Sequence, residues 1–226
     1  MSHNYTKIFP YKEIRKEQKI DFGLKTLIDS DKKFCIIEAG TGVGKSAIGL
    51  TLGRYLDDYY CRKFTSEDGD YKAGTYFLTT QRILQEQYEK DFGRPRGSMC
   101  SLYSASNYSC SYKKGNDCRT SLQELKGEKK GSPFFKACAI GCKYKEKKKN
   151  FLESRESITN FPYFILESTY SGKITPRNVL VIDEAHNTES VLSTFVEMGI
   201  SQYFAEKIIK VKWPAKVTPV NFVKWV

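Results

Sequence analysis

The chain has 226 residues, with 37 Lys and Arg against 26 Asp and Glu for a formal charge of +11, and is 40% hydrophobic and 14% aromatic. That is enough apolar material for one or two globular domains and excludes a disordered chain. No run approaches the roughly 18 uninterrupted apolar residues of a membrane span, and the start MSHNYTKIFP lacks the apolar core of a secretory signal, so an intracellular, cytoplasmic protein is expected.

In chain order, FCIIE (34–38) is predicted as a buried strand that runs into a glycine-rich turn. A helix follows from about Ser46, with Ile48, Leu52, Tyr55 and Tyr59 recurring on one face at three- and four-residue spacing. The polar stretch 62–72 reads as a surface connection, TYFLT (75–79) as the next strand, and residues 80–92 as a helix carrying Ile83, Leu84, Gln87 and Tyr88. NFPYFILES (160–168) predicts a short helix packed back on the sheet, and VLVID (179–183) a third strand. Residues 188–210 look helical, whereas 211–226 carry two prolines and two tryptophans without clear period. Strands alternating with helices in this way predict an α/β fold around a parallel sheet.

Between the second and third strands the composition changes. Residues 94–150 hold three Arg and eleven Lys against Asp117, Glu124, Glu128 and Glu146, a net +10 that leaves only +1 for the rest of the chain. Five of the seven cysteines fall here, at Cys100, Cys110, Cys118, Cys138 and Cys142, interleaved with Tyr103, Tyr108, Tyr112, Phe134, Phe135 and Tyr144. Seven cysteines in a reducing compartment point to metal binding or thiol chemistry rather than to a disulfide framework. A lysine run such as KYKEKKKN (143–150) is by itself a solvated face. Confined with six aromatics, the charge suits a groove that tracks phosphates and stacks the bases of a single strand.

Two motifs carry phosphate chemistry. Residues 39–46 read AGTGVGKS, a P-loop pattern with Ala39 where the first glycine is more usual. Gly40, Thr41, Gly42, Val43 and Gly44 form a loop whose N–H groups can turn inward around phosphates, Lys45 can reach the β and γ oxygens, and the Ser46 hydroxyl can ligate Mg²⁺ at a helix N-terminus. Residues 179–187 read VLVIDEAHN, a strand that delivers Asp183 to Mg²⁺ and Glu184 to the attacking water. Alone, two carboxylates after a strand are commonplace; paired with a P-loop they predict an ATP site, with His186 in a coupling role.

With these motifs in order, the sequence resembles the iron–sulfur branch of superfamily 2 helicases, the XPD and DinG group. FPYKEIRKEQ (9–18) looks like the family's Q-motif, which implies that Gln18 reads the adenine edge; EAGTGVGKS (38–46) matches motif I, LTTQRILQEQ (78–87) looks like motif Ia, and DEAHN (183–187) matches motif II. The implied fold is a RecA-like P-loop NTPase motor domain interrupted by a small cysteine-rich iron–sulfur insert. Ser106-Asn107-Tyr108-Ser109-Cys110 and Cys142-Lys143-Tyr144 resemble the family's surroundings of the first and last cluster ligands. The resemblance therefore implies that Cys110, Cys118, Cys138 and Cys142, spaced C-x7-C-x19-C-x3-C, hold a [4Fe-4S] cluster, with Cys100 spare or an alternative ligand. Cys35 and Cys61 are expected to be buried structural thiols. Zinc is the rival: Cys138 and Cys142 have zinc-knuckle spacing, but the gap between Cys110 and Cys118 fits less well.

The resemblance divides the chain into motor segments 1–93 and 151–187, an insert over 94–150, and the beginning of an arch domain over 188–226. It implies an ATP-dependent DNA helicase moving 5′ to 3′, acting on single-stranded DNA and forks in a bacterial or phage-like setting. Because the chain ends 39 residues after Asn187, a second motor domain on further sequence or on another chain is expected. The alternative of another class is an ATP-switched nucleic-acid-binding module with a zinc-stabilised basic finger that does not translocate.

Overall fold

The structure, a computed structural model, describes residues 5–16, 18, 28, 32–40, 42–63, 71–93, 98–196, 201–214 and 218. They divide into two units, Met1–Thr188 and Glu189–Val226. No helix among the described residues is long and apolar enough to cross a membrane.

The first unit is built on a four-stranded, wholly parallel sheet of β1 (Lys72–Thr79), β2 (Cys100–Ser101), β3 (Glu156–Asn160) and β4 (Arg177–Ile182), in the order β2-β3-β1-β4. β1 is interior and buried from Gly74 to Thr79, as a parallel strand covered on both faces must be. Alternation along it sends Phe77 to one face and Tyr76 to the other. Phe77 joins Leu50 of α1 (Lys45–Lys63), Tyr88 and Phe92 of α2 (Arg82–Phe92), and Ile158 of β3 in one core. The periodic face of α1 then buries Ala47, Ile48 and Leu52 against Phe9.

Tyr76 belongs to a second core. Its partners include Cys118 at the start of α3 (Cys118–Glu124), Tyr144 and Phe151 of α5 (Lys143–Glu153), and Tyr163 of α6 (Phe161–Leu166). Between α3 and α5 lies α4 (Pro133–Ile140). The cysteine-bearing segment is thus a helical layer on the sheet. Its helices are short and fixed by caps: Asp117 accepts from the Thr120 N–H at 2.6 Å, and Ser132 accepts from the Phe135 N–H at 3.1 Å ahead of Pro133.

Three features depart from expectation. FCIIE is not a strand: residues 34–38 pair with nothing among the described residues, and Phe34 and Ile36 are 89% and 93% exposed. Among the described residues β4 is the end strand of the sheet, and this apolar run adds no ladder to it. β3 is a strand that apolar patterning conceals, because its buried positions include hydroxyls. Ser157 donates to the Phe151 carbonyl at 2.5 Å and Thr159 to the Leu102 carbonyl at 2.7 Å, which satisfies them in the interior. β2, inside the segment assigned to the insert, is hydrogen-bonded to β3 as part of the sheet.

Polar ties fasten α1 to the sheet. Arg54 grips Glu156 of β3 through two bonds of 2.5 and 3.0 Å, and buried Asp57 accepts from the Gly74 N–H and Asn178 while pairing with Arg155. The second unit contains most of α7 (Thr188–Val196) and a π-type turn over Phe204–Ile208, within the stretch expected to be helical; residues 197–200 lie outside the described ones.

Candidate functional site

The loop after residue 38 is shaped by its glycines. Gly42 and Gly44 have φ of 82° and 87°, the left-handed region that glycine enters without strain, and a Cβ at Gly44 would stand 2.5 Å from Gln18 Nε2. α1 begins at Lys45, so its free N–H groups and positive dipole end face the loop. Lys45 Nζ donates to the Ala39 carbonyl at 3.3 Å and lies 3.8 Å from Glu184 Oε1. Gly40 and Val43 lie in the same loop; Thr41 is outside the described residues.

Gln18 is 6% exposed and clasps this loop. Its Nε2 donates to the Val43 carbonyl at 3.0 Å, its Oε1 accepts from the Arg15 N–H at 2.9 Å, and Arg15 Nη1 donates to the Gly42 carbonyl at 3.0 Å.

β4 brings the second motif to the loop across 137 residues: Ser46 Oγ donates to Asp183 Oδ2 at 3.4 Å. The Asp183 N–H donates to the Leu78 carbonyl at 2.8 Å, which extends the β1–β4 ladder to the carboxylate. Glu184 is one of two non-glycine residues with positive φ among those described, at φ 51° and ψ 46°. Such a conformation costs about 1–3 kcal/mol and is retained where the surroundings over-determine it, often at functional sites. It aims the carboxylate back at Lys45, with Oε2 3.2 Å from His186 Nδ1. Around one loop mouth stand a lysine ammonium suited to phosphate and a hydroxyl and two carboxylates whose hard oxygens suit Mg²⁺, a set fitting a nucleoside triphosphate with the metal.

Tyr88 is a site residue that motif reading missed. Its hydroxyl donates to Asp183 Oδ2 at 2.9 Å, and burial, followed by the Asp183 charge, pushes the phenol well above its usual range, so it remains a donor. Its sequence signal is a place on the buried face of α2 with Gln85 and Phe92. Gln85, in the segment resembling motif Ia, is fully buried, and its Nε2 donates to Ser101 Oγ and the Leu102 carbonyl, both at 2.9 Å.

Cys110, Cys118, Cys138 and Cys142 line a single pocket. Each arrives from a different place. Cys110 follows the 3-10 turn Ala105–Asn107; Cys118 opens α3; Cys138 lies near the end of α4; Cys142 is the N-cap of α5. Backbone bonds from the Cys110 N–H to Asn116 (2.9 Å) and from the Cys118 N–H to Tyr108 (2.7 Å) hold the first two together, and Cys118 Sγ lies 3.4 Å from Cys142 Sγ. Burial first, then Cys142, pushes the Cys118 thiol up to about 12; burial, then Cys110 and Cys142, raises Cys138. Burial also opposes ionisation of Cys110, but bonds from Ser121 and the Lys113 N–H outweigh it and hold this thiol below its ordinary value. Among the described residues, no group of three or more His, Cys, Asp or Glu converges on a site for one metal ion.

The remaining cysteines stand apart. Cys100 sits on β2 and does not line the pocket. Cys35 is only partly buried and Cys61 is exposed, contrary to expectation, since FCIIE is outside the sheet and the last turn of α1 faces solvent. The aromatics also differ: of the six expected to stack bases, only Tyr112 is exposed, lying on Phe134 at 5.3 Å and 21°, whereas Tyr144 and Phe134 are buried. The lysines on α5 other than Lys148 remain exposed.

The family described as "Type III restriction enzyme, res subunit" (ResIII) matches residues 11–211, a span that includes the loop, both carboxylates and the cysteine pocket. No curated protein and no solved structure matches the chain. A parallel sheet with a glycine loop opening a helix, facing carboxylates at the end of β4, is the architecture expected of that family's motor domain. The chain belongs to the type III restriction enzyme res-subunit family and is a superfamily 2 helicase-like domain.

Proposed function

We propose that this chain is the nucleotide-binding, iron–sulfur-bearing part of a DNA helicase that moves 5′ to 3′ along a single strand when joined to a second motor domain. The observation that carries the reading is the convergence of Cys110, Cys118, Cys138 and Cys142 on one pocket, two of which, Cys118 and Cys142, also pack in the core that holds Tyr76 of β1. Thiols that oppose one another's ionisation are relieved by a cationic centre. Four thiols lining one pocket suit either a cluster or zinc, and the likeness of the Cys110 and Cys142 surroundings to those of the iron–sulfur helicases is what favours the cluster. A bound [4Fe-4S] cluster would act there as a cross-link among α3, α4 and α5.

The chain's own residues perform the rest. Lys45 and the loop hold the β and γ phosphates, and Ser46 and Asp183 hold Mg²⁺. Glu184 orients the attacking water, and His186 beside it senses the occupied site. Exposed lysines of the insert and Tyr112 face the strand of DNA or its fork. Residues 188–226 begin the arch.

Anaerobic purification followed by iron, sulfide and zinc analysis tests this reading. About four irons with matching acid-labile sulfide per chain are expected. A colourless protein with one zinc would favour a zinc-stabilised, non-translocating module instead. A metal-free protein indifferent to oligonucleotides would end both readings.

A further inference from the structure

Arg177, the first residue of β4, is 6% exposed, and its hydrogen bonds go to carbonyls and a hydroxyl. Nη2 donates to the carbonyls of Phe151 (3.0 Å) and Leu152 (3.3 Å); Nη1 donates to the Thr75 carbonyl (3.2 Å) and Ser157 Oγ (3.0 Å). The guanidinium lies 4.0 Å over the Tyr76 ring. A buried cation held without a carboxylate is costly, so what it grips is informative. Phe151 and Leu152 are the last turn of α5, where carbonyls lack helical partners and the negative end of the helix dipole lies. Lys72, the first residue of β1, adds a bond from Nζ to the same Leu152 carbonyl at 2.7 Å.

The other end of α5 is the cysteine pocket. Cys142 is its N-cap, and eleven residues make a rod about 16 Å long. Tyr144 and Lys148 set the rod's rotation through Tyr163 (2.7 Å) and Glu167 (2.6 Å). Arg177 and Lys72 set its position along its axis. We infer that Arg177 is a remote positioning residue for the four-cysteine pocket: by clamping the carboxyl end of α5 to β1 and β4, it fixes where Cys142 stands relative to Cys118. The inference rests on the reading of that pocket as metal-binding.

The test uses the full chain, loaded anaerobically, and follows iron release to a ferrous chelator together with the visible absorption of the centre. Arg177→Met should release iron about tenfold faster than wild type, within the range found when groups supporting metal ligands are lost. Arg177→Lys, which keeps a donor for the carbonyls, should restore much of the retention. Leu50→Ala, in the core on the other face of the sheet, should lower thermal stability and leave the release rate unchanged. Wild-type release from Arg177→Met, or equal acceleration by Leu50→Ala, overturns the inference. If Arg177→Met fails to fold, Lys72→Met decides: faster release upholds the inference, and a wild-type rate overturns it. A wild-type chain that takes up no iron overturns the pocket reading, and the inference falls with it; an iron-bearing wild type with unaffected variants overturns the inference alone.

Discussion

Tyr88 holds the Asp183 carboxylate. The buried phenol stays protonated at neutral pH and donates to Asp183 Oδ2 beside Ser46, so it helps fix which way that carboxylate turns. Hydrogen bonds to charged groups are worth roughly 1.5–3 kcal/mol. Tyr88→Phe should therefore weaken nucleotide binding by about tenfold in the presence of Mg²⁺ and little in its absence; a fluorescent-nucleotide titration with and without the metal reads this directly. Equal losses in both conditions would mean that Tyr88 supports only the fold. Glu184→Gln should retain nucleotide and lose hydrolysis by about 10² or more, because the amide cannot polarise water as a carboxylate does. Single-turnover hydrolysis separates this from a binding defect. Lys45, Ser46, Asp183 and Glu184 were legible because each sits in a contiguous motif. Tyr88 was not, because its partner is 95 residues away and only the sheet brings them together.

The helix that carries most of the lysine run is also where an electrostatic contribution can be isolated. Lys148 of α5 pairs with Glu167, after α6, at 2.6 Å, with both side chains less than a fifth exposed. Burial works to raise the Glu167 carboxyl, but the bonds from Lys148 and Ser171 outweigh it and hold the folded value below the ordinary one. A carboxylate depressed on folding stabilises the protein above its unfolded pKa, and that contribution is lost as pH falls through the folded value. Glu167→Gln should lower the melting temperature by about 3 °C at pH 7, and the difference should shrink as pH is lowered through the carboxylate range. Thermal scans at several pH values check it; a difference independent of pH would mean that packing alone is responsible. Among the elements, TYFLT and VLVID lie within β1 and β4, apart from Asp183 just beyond β4; β1 pairs with β3 and β4, and β4 with β1. FCIIE is an apolar run too and pairs with nothing among the described residues, while β3 hides its buried positions behind satisfied hydroxyls.

Across the whole first unit, the cysteine pocket and the sheet share a core. Cys118 and Tyr144 pack with Tyr76 and Phe151, so the insert cannot loosen without uncovering β1. If the proposed centre is bound, chelating it should therefore lower the melting temperature of the entire unit in one transition, read by calorimetry before and after chelation; an early separate transition would mean that segment 94–150 melts alone. The exposed lysines predict the other molecular property. A fourfold rise in salt should weaken single-strand binding by more than about tenfold, because each neutralised phosphate releases counterions. A flat response would remove the proposed DNA face.

What the amino-acid order carried without coordinates was local. The glycine loop, the DEAHN run, the alternation of strands with helices and the concentration of charge and cysteine in 94–150 all depend on neighbours along the chain. Folding supplied the long-range juxtapositions: Asp183 against Ser46 and Tyr88, four cysteines from separate elements around one pocket, and Arg177 across the end of α5. Folding also turned most of the insert's aromatics inward. Their spacing was visible, but whether a ring meets a base or a core depends on which face of which helix the sheet covers.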